Sequence, residues 1–250
     1  MPAMTLWQRE MVRFFRQRNR VVSTMATPLV FWVIIGSGFE DSFVIPASLE
    51  GGSTSYSAYF FPGTVMLMLM FAAIFSTISV IEDRREGFLQ TVMVAPVPRV
   101  ALVLGKVLGG ASVATIMGIV MLAFWPLIGQ WAGWDAAAMT VGVMFLVAVE
   151  LTAFGLLLAW PMDSTAGFHG VMNLLLMPMW ILSGAMFPIT GGWQEVVKTI
   201  NPLTYAQNAF VGAMRGEMMT VDLTLTCVLT VITIMGAAKM ISKPRKDGSG

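Results

Sequence analysis

Long apolar runs separated by short polar segments dominate the pattern of this chain. Six of these runs are long enough to cross a bilayer, since about 20 apolar residues span its hydrocarbon. They cover residues 21–38, 59–81, 102–127, 136–159, 167–187 and 223–240. The pattern therefore predicts an all-α integral membrane protein with six transmembrane helices. No segment between the runs has the length of a separate domain, and no internal repeat is visible.

Basic residues concentrate in three segments that six spans would place on one side of the membrane. The first 20 residues, the segment 82–106 and the C-terminal tail hold thirteen of the fifteen lysines and arginines. Because basic residues favour the cytoplasmic side, we expect both termini and this segment to face the cytoplasm.

The first 20 residues have the pattern of an amphipathic helix. Arginines at 9, 13, 16, 18 and 20 alternate at helical spacing with Leu6, Trp7, Met11, Phe14 and Phe15. Such a helix is expected to lie on an anionic leaflet. A signal peptide is the alternative, but residues 37–39 do not form a small-residue cleavage site, so an uncleaved first span is predicted.

The segment 82–106 is the most charged internal part of the chain. Four consecutive charged residues at 82–85 predict a return to water, because charge inside lipid is costly. Apolar positions after them share one helix face: Phe88, Leu89, Val92 and Met93. Pro96 and Pro98 end the helix. A short amphipathic surface helix is predicted within 82–98, serving either as a docking site or as an ordinary loop.

The segment 188–222 is the longest connection, and it contains two apolar helical faces separated by Asn201 and Pro202. The first face holds Trp193, Val196, Val197 and Ile200, and the second holds Tyr205, Ala209, Phe210 and Ala213. Two short helices at the outer headgroup level are predicted. This apolar content argues against a disordered loop.

Composition excludes several classes of function. The chain is 56% hydrophobic and 12% charged, with a net charge of +1, so it lacks the basic field of a nucleic-acid-binding protein. One cysteine and one histidine, Cys227 and His169, cannot build a disulfide or a zinc site. No phosphate-binding loop is present, so this chain is expected to bind no cofactor and hydrolyse no ATP.

Membrane-embedded catalysis is also disfavoured. Ser183 and His169 would lie about 21 Å apart along one helix, too far to act as nucleophile and base. Glu150 and Asn173 are polar residues deep in predicted spans, where such groups line a path or bond to a neighbouring helix. Gly105 and Gly109 allow a close helix contact, either inside one subunit or across a dimer.

Two motifs resemble those of ABC-2 type exporter permeases. The first comprises Glu82, Arg84, Arg85, Glu86, Gly87, Leu89, Pro96, Val97, Arg99, Leu104, Gly105 and Lys106. The second comprises Asn201, Pro202, Leu203, Thr204 and Tyr205, followed by Ala213, Met214, Arg215 and Gly216. Phe88 and Gln90 replace a threonine and a glutamate that are usual in the first motif.

The resemblance implies a permease subunit of an ATP-driven exporter. It implies two permease copies, identical or paralogous, and two separate ATP-binding subunits that carry ATP and Mg. Residues 82–98 would couple to these subunits through Glu82, Arg84, Arg85, Glu86, Gly87, Phe88, Leu89 and Pro96. Residues 188–222 would form an extracellular, half-inserted element. Lipids, drugs and glycans are cargoes of the family. An ATP-independent carrier or channel is the alternative, but Glu150 stands nearly alone as an ion site.

Overall fold

The computed structural model describes residues 2–42, 55–88, 98–189 and 191–242, and these residues are almost entirely helical. No strand occurs among them. The helices are α1 (Pro2–Arg16), α2 (Arg18–Gly38), α3 (Tyr56–Arg85), α4 (Arg99–Leu122), α5 (Trp134–Ala159), α6 (Thr165–Trp180), α7 (Trp193–Ile200), α8 (Pro202–Met214) and α9 (Thr220–Ser242).

Six of these helices are long and apolar enough to cross a membrane, which confirms the predicted number of spans. They are α2, α3, α4, α5, α6 with its continuation to Ala185, and α9. The third span ends earlier than predicted, at Leu122, and is followed by a 3₁₀ turn over Trp125–Ile128. Pro126 in that turn lacks the N–H that a continuing α-helix would need.

The bundle is built around α3, which is apolar on all sides. In its 18-residue apolar stretch, 94% of α3 is buried, compared with 17% for the same length of α2, 22% for α6 and 17% for α9. Helices α2, α4 and α5 pack directly against α3. A helix that is hydrophobic all round belongs in the interior, whereas the three outer spans leave most of their surface uncovered.

Helix α1 packs along α4 through Gly105 and Gly109. A Cβ atom on Gly105 would lie 2.7 Å from the Cβ of Leu6, and one on Gly109 would lie 2.7 Å from the Cβ of Glu10. The absence of side chains at these two positions lets the helices approach closely. The glycine pair therefore serves a contact inside the chain.

At the end of the bundle that lies away from α1, the helix α6 is irregular. Pro178 lies in its last turn, a π-helical stretch covers Ile181–Ala185, and Gly184 has φ +86°. Gly63 of α3 contacts this stretch so closely that a Cβ there would lie 2.1 Å from the carbonyl oxygen of Ala185. The close contact fixes the unwound end of α6 against α3.

The two helices predicted in 188–222 are present as α7 and α8. None of the residues of α7 is buried, and its apolar face, including Trp193 and Ile200, is exposed. In α8, by contrast, Ala209, Phe210 and Ala213 are buried, and the helix packs against α5 and α9. The apolar face predicted for α8 therefore contacts protein.

Candidate functional site: a charged junction of α1, α3 and α4

A cluster of charged side chains joins α1, α3 and α4 at the end of the bundle where α3 finishes, which we call the basic end. Asp83, in the last turn of α3, is fully buried. Its carboxylate accepts hydrogen bonds from Arg9 at 2.7 and 3.0 Å and from Arg13 at 2.6 Å. The bond to Asp83 raises the pKa of Arg9, so this arginine remains charged.

Lys106 brings α4 into the same cluster. Its Nζ atom donates to Asp83 Oδ2 at 2.5 Å, to Glu10 Oε1 at 2.6 Å and to Ser79 Oγ at 3.0 Å. These three acceptors match the three protons of an ammonium group. A buried lysine with all of its donors used is fixed in place, and it holds three helices together.

The inner part of the cluster is electrically balanced. Three cations, Arg9, Arg13 and Lys106, face three anions, Glu10, Glu82 and Asp83. Arg13 reaches Glu82 at 2.8 Å, and the exposed Glu86 lies farther out, 3.7 Å from Arg13. Breaking a buried ion pair by removing one partner costs about 3–5 kcal/mol. This balance explains how charges can occupy a buried site beside apolar spans.

The predicted return to water at 82–85 is therefore wrong for Asp83, which lies inside protein. The resemblance included Lys106, but neither Asp83 nor Glu10 was predicted as a site residue. Glu10 is the sole acidic residue among the first 20. An isolated acid on the arginine face of α1, together with an acid in the charged run, was the available sequence signal.

Arg84 and Arg85 point away from the cluster, toward the turn between α5 and α6. Arg84 donates to the carbonyl oxygens of Trp160 at 2.5 Å and Met162 at 2.8 Å. It also forms an ion pair with Asp163 at 3.2 Å, and Arg85 donates to the backbone oxygen of Asp163 at 3.0 Å. The end of α3 is thus bonded to a second turn, residues 160–164.

Beyond these arginines, the chain leaves α3 at a sharp bend. Gly87 has φ +75°, a conformation suited to glycine at a helix end. The guanidinium of Arg9 then lies over the ring of Phe88, with 3.9 Å between the Arg9 Cζ atom and the ring centroid. The Glu86 side chain is 61% exposed. Leu89 and Pro96 fall outside the described residues.

The second motif holds the N-terminal end of α8 in place. Asn201 caps the helix by accepting from the Leu203 N–H at 3.1 Å, and its amide donates to the Met179 carbonyl at 2.6 Å. Pro202 occupies the first helical position, where its missing N–H costs nothing. Tyr205 donates to the Thr199 carbonyl at 2.5 Å. These bonds tie α8 to α6 and α7.

The remaining members of this motif are divided between the interior and the surface. Leu203 and Thr204 are buried. Arg215, which follows α8 directly, is exposed. The structure thus brings Asn201 to Tyr205 together at one junction and leaves Arg215 outside it.

The two candidate path residues occupy different environments. Glu150 is 6% exposed, and its Oε2 atom has no hydrogen-bond partner within the described part of the chain. It lies seven residues before Leu157, which contacts Gly236, so both share the side of α5 that faces α9. Asn173 is exposed on α6, on the same face as His169 and Gly170.

Comparison with known proteins identifies the group to which this arrangement belongs. The profile of the ABC-2 type transporter family matches residues 3–214, which include the charged junction and the Asn201 junction. The chain belongs to the ABC-2 type transporter family. It is a multi-pass membrane protein of the permease type, and the motif resemblance described above is confirmed.

Curated relatives of this ABC-2 permease share modest identity with it. A putative transport permease, ycf38, of Cyanophora paradoxa is 23% identical over 207 residues, covering 80% of this chain and 69% of the relative. A probable multidrug ABC transporter permease, YbhR, of Escherichia coli is 28% identical over 148 residues, covering 56% and 39%. Nodulation protein J of Rhizobium leguminosarum is 20% identical over 231 residues, covering 89% and 86%. No solved structure matches.

Proposed function

We propose that this ABC-2 permease is the membrane subunit of an ATP-driven exporter and works with a separate ATP-binding subunit. The observation that carries the proposal is the rigid mounting of Glu82–Phe88. The buried cluster fixes one side of this segment to α1 and α4, and Arg84 fixes the other side to 160–164. A segment anchored to three elements can pass an external force to the spans.

The docking surface would lie on the cytoplasmic side, as the distribution of basic residues predicts. Glu82, Arg84 and Arg85 would hold the segment in place, because their side chains bond to other parts of the chain. Glu86 is exposed, and it would face the ATP-binding subunit together with Gly87, Phe88, Leu89 and Pro96. ATP and Mg would bind to that subunit.

Two copies of the permease would enclose the translocation path. Glu150 and Asn173 are candidate path residues because ionisable and polar groups inside membranes usually face a cavity or a partner. YbhR is named a multidrug permease, which fits a lipophilic cargo as well as the lipids or glycans that the family resemblance allows. The membrane would be the cell's inner or plasma membrane.

The test uses Glu86→Lys, which reverses an exposed charge at the rim of the cluster, 3.7 Å from Arg13. The tagged chain is co-expressed with the ATP-binding protein encoded nearest to its gene and reconstituted in nanodiscs. We expect the unmodified pair to co-purify and hydrolyse ATP, and Glu86→Lys to lose both. Asp41→Lys, a charge reversal at an exposed acidic site before α3, is the matched control and should behave like the unmodified pair.

Three results would count against the proposal. Full co-purification of Glu86→Lys would exclude docking at this segment, and ATP turnover by the permease alone would exclude a separate motor. Transport driven by an ion gradient in proteoliposomes without any ATP-binding protein would favour the alternative, a secondary carrier or channel.

A further inference from the structure

Helix α6 is one of the less buried spans that contact α3. Its 18-residue apolar stretch is 22% buried, and Leu174 in the middle of the helix is 80% exposed. In its middle, one side is buried through Met172 and Leu176, whereas both of its ends are tied by hydrogen bonds. A helix held mainly at its ends can change its tilt without disrupting a packed core.

The tie at the basic end is made by Arg84 and Arg85. They bond to the turn at 160–164, and α6 starts directly after it, with Ser164 as its N-cap accepting from the Gly167 N–H. These bonds are charge-assisted, which makes them stronger than neutral ones. A shift of the last turn of α3 must therefore move the start of α6.

At the opposite end of α6, three side chains donate hydrogen bonds to carbonyl oxygens near the break in the helix. Tyr59 donates to Gly184 at 2.7 Å, Tyr56 donates to Met186 at 3.0 Å, and Asn201 donates to Met179 at 2.6 Å. In return, Trp180 donates to Gly63 at 2.8 Å. The proline and the π-helical stretch interrupt the helical bonds here, which is a usual cause of bending.

We propose that α6 is a lever in the transport cycle and that Arg84 is the positioning residue that drives it. This inference rests on the proposed function, because the driving movement is that of the docking segment Glu82–Phe88. A displacement of this segment would pass through Arg84 and the 160–164 turn to the start of α6. The helix would then tilt about the break at Pro178–Gly184.

The packing explains why α6 would move in preference to α3. Moving α3 would disturb a span of which 94% is buried, whereas 22% of α6 is buried. The face of α6 that would swing carries His169, Gly170 and Asn173, which are exposed within a span. Tilting this polar face would change the width of a path beside it.

The first test measures amide hydrogen exchange of the permease in nanodiscs. Arg84→Gln should speed exchange about tenfold for residues 160–170, because a local opening loses charge-assisted bonds. Asn201→Ala should speed exchange for residues 179–186 instead. Arg84→Lys should restore part of the protection. Arg18→Gln, an exposed arginine at the start of α2, is the control and should change neither region.

The second test uses the complex with the ATP-binding subunit, trapped with vanadate. In the unmodified complex, trapping should change the exchange of residues 165–176. In Arg84→Gln, the exchange change and transport should both be lost. Loss of transport with the exchange change intact would overturn the lever.

The outcomes separate this inference from the proposed function. If no ATP-binding subunit co-purifies with the unmodified permease, the proposed function fails. If the subunit binds and hydrolyses ATP but trapping leaves residues 165–176 unchanged, the lever alone is wrong. Equal exchange at 160–170 in Arg84→Gln and the unmodified permease would also contradict it.

Discussion

At the scale of single residues, the charged junction shows how a membrane protein can bury ions. Asp83 is fully buried and contacts three cations, and each cation is also near another carboxylate. In an environment of low dielectric, an unpaired charge is very costly. The side chains in this cluster are therefore interdependent, and removing one leaves the others uncompensated.

This dependence predicts the effect of Asp83→Asn. The substitution keeps the size of the side chain but leaves Arg9, Arg13 and Lys106 with one anion fewer. We expect a loss of about 3 kcal/mol, or a fall of about 6–12 °C in the unfolding temperature, measured by size-exclusion thermostability in detergent. The exposed control Asp41→Asn should stay within about 0.5 kcal/mol.

A double-mutant cycle separates charge balance from shape. If balance governs the cluster, Asp83→Asn combined with Lys106→Met should be less unstable than the sum of the two single changes. Strict additivity would contradict this account.

At the scale of helices, the apolar pattern predicts the elements well because bilayer thickness dictates their length. All six predicted spans appear as helices, and α1, α7 and α8 fall where amphipathic patterns place them. The Glu82–Lys106 segment was recognised as charged, but the inward direction of Asp83 was not predicted. That direction depends on which helix covers α3, and a one-dimensional pattern carries no such information.

The same limit applies to the roles of Arg84 and Arg85. Sequence reasoning could place them at the end of a span, but their partners are backbone carbonyls 76 and 78 residues away. Backbone acceptors leave no residue-specific signal in the sequence. The Asn201 junction is similar, because its amide bonds to a carbonyl at Met179 whose identity is irrelevant to the bond.

The close packing of α1 on α4 predicts that a larger residue at Gly109 separates the two helices. Gly109→Val places branched carbons where Glu10 packs, so α1 should separate from α4 and Glu10 should lose Lys106. We expect faster tryptic cleavage after Arg9 and Arg13 in the purified protein, read by mass spectrometry. Gly142→Val in α5, where a Cβ meets nothing within 4 Å, is the control and should leave cleavage unchanged.

At the scale of the whole molecule, three outer spans differ in the surface that they present. The uncovered sides of α2 and α9 are apolar, with Val33 and Ile34 on α2 and Val231 and Met235 on α9 all more than half exposed. Such surfaces suit lipid. Helix α6 instead exposes Asn173 beside His169, and polar groups inside membranes are usually turned away from lipid.

This difference predicts which span faces a second copy. With Cys227 replaced by alanine, Asn173→Cys should cross-link between two permeases when membranes are treated with a short bifunctional maleimide. The reason is that a second copy would shield the polar face of α6 and enclose a shared path. The readout is a mixed dimer of one tagged and one untagged copy, which appears when the two are co-expressed and is absent when they are expressed separately.

The chain supplies its own control for this experiment. Cys227 is exposed on α9, so the unmodified protein tests the alternative that α9 forms the contact between copies. Cross-linking through Cys227 but not through position 173 would place the apolar face of α9 at the interface. The polar face of α6 would then require a different cover, and two permeases could not share a path there. Cross-linking at position 173 alone would show that composition, rather than exposed area, selects the surface that meets the second copy.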